Sequence, residues 1–131
     1  LYFYRDWFPS LCHDEGCVSM ITHTLLGEIE IISASTFFTR LKGLLGTKAL
    51  SQSQALSIMP CRSVHTIGMR YTIHLVCLDK TGRVVAIKQN LQPYRFYIAP
   101  NNTYEILEFS AAIHPISQSL VGRQFFIGDK Q

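Results

Sequence analysis

The sequence predicts a mostly β, single-domain fold with some α+β character: an antiparallel β-sandwich or open barrel carrying one or two short helices. Three observations predict it. Residues 25–32 alternate, with Glu28 and Glu30 on one side and Ile29 and Ile31 on the other, as a strand with one wet face does. Residues 73–78 are apolar on both faces apart from His74; the turn-forming Asp79, Lys80, Thr81 and Gly82 follow, and residues 83–88 return as the second arm of a hairpin. Short strand-like runs succeed one another without the helix after each strand that a βαβ fold requires.

The other elements follow in chain order. Leu1–Ser10 is aromatic through Tyr2, Phe3, Tyr4, Trp7 and Phe8, but Arg5, Asp6 and Pro9 interrupt it too often for a signal-peptide core. It reads as an arm that packs on the domain or on a neighbour, within an N-terminal stretch 1–24 that precedes the β-rich domain, 25–131. The hydroxyls of residues 33–36 can cap a helix in which Phe37, Leu41, Leu44 and Leu45 share a face and Gly46 is the stop. Residues 55–59 form a strand ended by Pro60. Pro93 and Pro100 bracket a short edge strand at 94–99. Residues 104–109 are a further strand, Pro115 opens a short helix to Val121 with Gly122 as its stop, and residues 124–127 form the last strand.

The 131 residues suffice for one domain, and a composition 47% hydrophobic and 16% charged excludes intrinsic disorder. No apolar run reaches the roughly 18 residues of a membrane helix. Net charge is +3, unevenly spread: residues 40–100 hold nine bases and one acid, Asp79, for +8, while the remainder is −5. Such a field attracts anions unless the fold interleaves the two halves and cancels it, which is the favoured expectation. Cys12, Cys17, Cys61 and Cys77 match no C-x-x-C pattern. Cys77 reads as a buried small hydrophobe. Cys12 and Cys17, around a polar loop, read as idle thiols, with a short disulfide or a metal role shared with His13 as alternatives. Cytoplasmic location is slightly favoured and export stays open.

The densest polar cluster runs from Cys61 through Ser63, His65, Thr66, Met69, Arg70 and Tyr71 to His74. Cys61, His65 and Met69, spaced four and four, are metal ligands by type. On a strand four residues span about 13 Å, too far for one ion, so metal binding is not the favoured reading. Cys61 or Ser63 with His65 could act as nucleophile and base, which makes Cys61 and His65 the catalytic candidates, but no Gly-x-Ser-x-Gly elbow accompanies them. The favoured reading is a pocket in which His65, Thr66, Met69, Arg70, Tyr71 and His74 grip a small polar or anionic ligand. Aromatic and basic residues interleave again at 92–98, but an isoelectric point near 8.8 is too mild to favour single-stranded nucleic acid over a packed edge strand.

The segment from Pro60 through Cys61, His65, Gly68 and Met69 to Tyr71, followed by Leu78, Asp79, Gly82 and Val85, resembles the largely prokaryotic family called domain of unknown function 192. The similarity begins near Thr36, with Arg40, Gly43 and Leu44, and extends through Leu107 and Glu108, about two-thirds of the chain. It implies a compact, mostly β fold and no established reaction or cofactor. The sequence departs from the family pattern at His74, where aspartate is common, at Ala112, where glycine often stands, and at Arg123, where an acid is common. If the aspartate serves a site, His74 replaces or alters it. The resulting expectation is a binding or accessory protein. The alternatives are a hydrolase or transferase using Cys61 or His65, and a structural module that docks or self-associates through Leu1–Ser10.

Overall fold

The computed structural model describes residues 2–3, 17–34, 52–67, 69–111 and 115–127. The expected helix at 37–45 and Cys12 lie outside them. Nine strands are described: β1 (Tyr2–Phe3), β2 (Cys17–Thr24), β3 (Gly27–Ala34), β4 (Gln54–Ile58), β5 (Ser63–His65), β6 (Ile73–Leu78), β7 (Val84–Leu91), β8 (Phe96–Ile98) and β9 (Glu105–Ser110). They form a six-stranded sheet, β2-β3-β4-β9-β6-β7, and a three-stranded sheet, β1-β5-β8. The layering is the expected sandwich. The sheets are mixed rather than antiparallel throughout, because β3 runs parallel to β4 and β1 parallel to β5. Among the described residues no helix is long and apolar enough to cross a membrane.

Local chemistry accounts for the turns. The strand expected at 25–32 is β3 from Gly27 onward; Leu25 and Leu26 form the turn before it, and the whole of β2, inside the stretch assigned to the arm, pairs with β3. Thr24 Oγ1 donates to the Gly27 carbonyl at 2.9 Å and accepts the Leu26 N–H at 3.0 Å, while Gly27 adopts φ 100°. The β6–β7 hairpin turns as expected. Asp79 Oδ1 accepts the Thr81 N–H at 2.8 Å, the Thr81 hydroxyl at 2.7 Å and the Arg83 N–H at 3.1 Å. These hydrogen bonds hold the Asp79 carboxyl below its ordinary range. Gly82 has φ 88°, and a Cβ there would stand 2.9 Å from the Gln124 amide nitrogen.

The C-terminal part departs from expectation in degree. The helix after Pro115 is a single 3₁₀ turn, Gln118–Leu120, whose cap Ser117 accepts the Ser119 N–H. The strand expected at 124–127 is reduced to two isolated bridges, Arg83 with Gln124 and Thr24 with Phe126. Gln124 still fastens the hairpin turn, its side-chain amide donating to the Thr81 carbonyl.

Two apolar cores lie on opposite faces of the six-stranded sheet. On one face, Ile32, Leu56, Ile58, Ile73, Leu75, Cys77 and Ile106 meet Val64 and Tyr97 of the small sheet, together with Cys61, Met69 and Ala99. On the other, Ile29, Val76, Leu78, Leu107 and Phe109 are covered by Ile116 and Phe125. β6 is buried along its whole length because it serves both cores, which is why its sequence is apolar on both faces. Each side chain buried in this way contributes about 1.5–3 kcal/mol.

Candidate functional site

The chain leaving β4 passes through the exposed Met59 and Pro60 and turns inward at Cys61. The Cys61 N–H donates to the Tyr104 carbonyl at 2.9 Å, and its thiol donates to the Ser63 carbonyl at 3.2 Å inside the core between the sheets. Val64 enters the same core, so period-two alternation turns His65 to the outer face of the small sheet. There its ring lies edge-on to Phe96, its partner across the β5–β8 ladder, with centroids 5.8 Å apart. His65 Nδ1 accepts the Ile67 N–H at 3.3 Å, which leaves the ring proton of the neutral form on Nε2.

Thr66 is fully buried, and its hydroxyl ties two loops together. Oγ1 donates to the Gln92 carbonyl at 2.7 Å and accepts the Arg95 N–H at 2.9 Å. The Thr66 N–H donates to the Arg95 carbonyl and the Tyr94 N–H to the Thr66 carbonyl, which completes the junction. Met69 is buried in the core between the sheets, with Tyr71 packed against that core, and Arg70 is exposed.

His74 lies elsewhere. Its neighbours Ile73 and Leu75 face the core between the sheets, so His74 faces the opposite side, across from Phe109. Its Nδ1 accepts the Asn90 N–H at 3.1 Å, and burial lowers its pKa from the ordinary value of 6.5. The single mouth expected from the sequence is therefore not formed. His65 and His74 lie on opposite sides of the packed core, with Cys61, Met69 and part of Tyr71 between them; His65 is itself buried at 4% exposure, and of the expected cluster Arg70 is the exposed member.

That outer surface has a definite character. Phe96 is 63% exposed, Ile98 74% and Tyr94 64%, and Ile67, which follows Thr66 in the chain, is exposed as well. The exposed Arg62 and Arg95 stand at the two ends of the β5–β8 pair. Arg62 donates to the Asn101 side chain at 3.0 Å, and Arg95 to the Tyr94 carbonyl at 3.3 Å. The interleaved segment 92–98 marked these residues in the sequence, although the edge strand is shorter than expected, Phe96–Ile98.

Among the thiols, Cys77 lies in the core beside Cys61 and accepts a hydrogen bond from the Tyr97 hydroxyl; burial pushes its pKa up to about 12. The Tyr97 hydroxyl is likewise raised to about 12 by burial. Neither group ionises near neutrality, which suits packing rather than nucleophilic attack. Among the described residues no three His, Cys, Asp or Glu side chains are grouped to hold a metal ion.

Residues 19–115 match the model of the family DUF192, described as "Uncharacterized ACR, COG1430". No curated protein matches the chain. Among solved structures, a protein of unknown function from Novosphingobium aromaticivorans DSM 12444 is similar with TM-score 0.57 and 19% identity, over 72% of this chain and 73% of that one. A candidate transcription regulator from Sinorhizobium meliloti 1021 is similar with TM-score 0.58 and 12% identity, over 73% of this chain and 81% of that one. At these identities the likeness is one of fold.

Proposed function

The chain belongs to the uncharacterised family DUF192, and on that premise we propose that it is a binding domain whose recognition surface is the outer face of the small sheet. The ligand is an anionic group attached to an apolar or aromatic body. The observation that carries this reading is the exposed strip Tyr94, Phe96 and Ile98 with Arg62 and Arg95 at its ends. A contiguous exposed apolar strip is unusual on a monomer, and flanking guanidinium groups suit carboxylate or phosphate. His65 backs the strip from below, and Arg70 adds a further exposed cation on the same chain segment. No observation favours the catalytic alternative: the Cys61 thiol is turned into the core, on the other side of β5 from the His65 ring.

The test is an amide NMR titration with phenyl phosphate. Shifts are expected at residues 62–67 and 94–98, and they should weaken by about tenfold in affinity in a variant carrying both Arg62→Ala and Arg95→Ala. Shifts confined to other surfaces, or unchanged affinity in the variant, would remove this face from consideration.

A further inference from the structure

A second candidate site lies on the opposite face of the six-stranded sheet, where four strands and the C-terminal segment enclose a groove of about 270 Å³. Met20 and Thr22 of β2, Ile31 and Ser33 of β3, Ser57 of β4, Met59, Glu105 of β9 and Phe126 line it. The register explains the assembly. Met20 pairs with Ile31, Ser33 with Ser57, and Ser57 with Leu107, so alternate side chains of all four strands fall on this one face. Phe126, which bridges to Thr24 at the end of β2, closes one wall.

Met20, Ile31, Met59 and Phe126 give the lining its apolar surface, and Glu105 is the only charged member among the described residues. The buried Ser57 hydroxyl donates to Glu105 Oε2 at 2.6 Å, which fixes the carboxyl in place. Among the described residues no cation lines the groove to answer it. Burial raises the Glu105 pKa, and the Ser57 bond offsets this in part. A carboxylate held in an apolar recess without a counter-charge costs folding free energy, which a cationic ligand would recover on binding. An anionic ligand would be repelled, and one carboxylate without further ligands is a poor metal site.

We propose that this groove binds a small amphiphilic amine, its ammonium group against Glu105 and its apolar body between Met20, Ile31, Met59 and Phe126. The hydroxyls of Thr22 and Ser33 line the same groove and can accept the remaining ammonium protons. The volume suits a body of about one aromatic ring with a short chain.

The experiment uses the three methionines as reporters. Protein labelled with ¹³C at the methionine methyl groups is titrated with 2-phenylethylamine and, separately, with the neutral 2-phenylethanol. The Met20 and Met59 methyls are expected to shift, and that of Met69, buried in the core on the other side of the sheet, is not. The amine should bind about tenfold more tightly than the alcohol, and Glu105→Gln should bring the two within about threefold. The wild-type comparison of amine with alcohol needs no variant and stands even if Glu105→Gln folds poorly. Equal binding of amine and alcohol, no shift at Met20 and Met59 up to the solubility limit, or amine affinity unchanged by Glu105→Gln would each overturn the proposal.

Discussion

The Asn90 N–H donates to His74 Nδ1 at 3.1 Å across the β6–β7 pair, with Asn90 in the left-handed region at φ 58°. The neutral ring then carries its proton on Nε2, which is buried and has no hydrogen-bond partner among the described residues. A second proton could enter only at Nδ1, where it would displace the Asn90 bond.

This arrangement makes stability depend on pH in a definite direction. The folded-state pKa of His74 lies below the ordinary 6.5. Above that value both folded and unfolded chains hold the ring neutral, and its contribution is complete. As pH falls below 6.5 the unfolded chain takes up a proton first, so stability is lost, by at most about 1.4 kcal/mol per pH unit, until the folded ring also titrates. His74→Asn keeps an acceptor for Asn90 and removes the titration. Urea denaturation at pH 8 and pH 5 should show a smaller drop in the variant, and equal drops would refute the assignment.

Thr66→Val should destabilise the domain by about 2–3 kcal/mol, because it leaves the Gln92 carbonyl and the Arg95 N–H, which meet the fully buried Thr66 side chain, without their hydroxyl partner. Thr66→Ser retains that partner and should recover most of the loss. Chemical denaturation of the three proteins measures the difference; a Val variant as stable as the wild type would show that the hydroxyl is dispensable.

The thiols of Cys61 and Cys77 should resist alkylation in the folded protein. Both are buried, and with a pKa of about 12 only about one Cys77 thiol in ten thousand is ionised at pH 8. Peptide mass spectrometry after iodoacetamide should find them unmodified in buffer and modified in denaturant. Rapid labelling under native conditions would mean that the core between the sheets opens readily.

Phe125→Ala should cost about 3–5 kcal/mol, since its fully buried ring packs edge-on against Phe109 with centroids 6.5 Å apart. It holds the C-terminal segment over its core. Thermal unfolding reads the loss, and a change under 1 kcal/mol would indicate that residues 115–127 contribute little to the fold.

The hairpin of β6 and β7 was legible because its strands are contiguous and Asp79 to Gly82 carry the turn chemistry. The parallel pairing of β3 with β4 was not, since the partners are brought together by a connection whose path no local pattern specifies. Leu25 and Leu26 extended the alternating run backwards over a reversal; the turn is fixed by Thr24 and Gly27, which bracket it. His65 and His74 looked like one cluster because they are nine positions apart. Alternation assigns a side chain to a face of its own strand, but not to a sheet, and the chain changes sheets between them. Glu105 escaped notice for the complementary reason: its groove draws on five separated parts of the sequence, and none of them is distinctive alone.

One hydroxyl, that of Thr66, fastens two loops together at the Arg95 end of the exposed arginine–aromatic strip. A surface clamped from beneath loses little conformational freedom when it is occupied. It would act as a rigid mould, discriminating among visitors by shape instead of adapting to each.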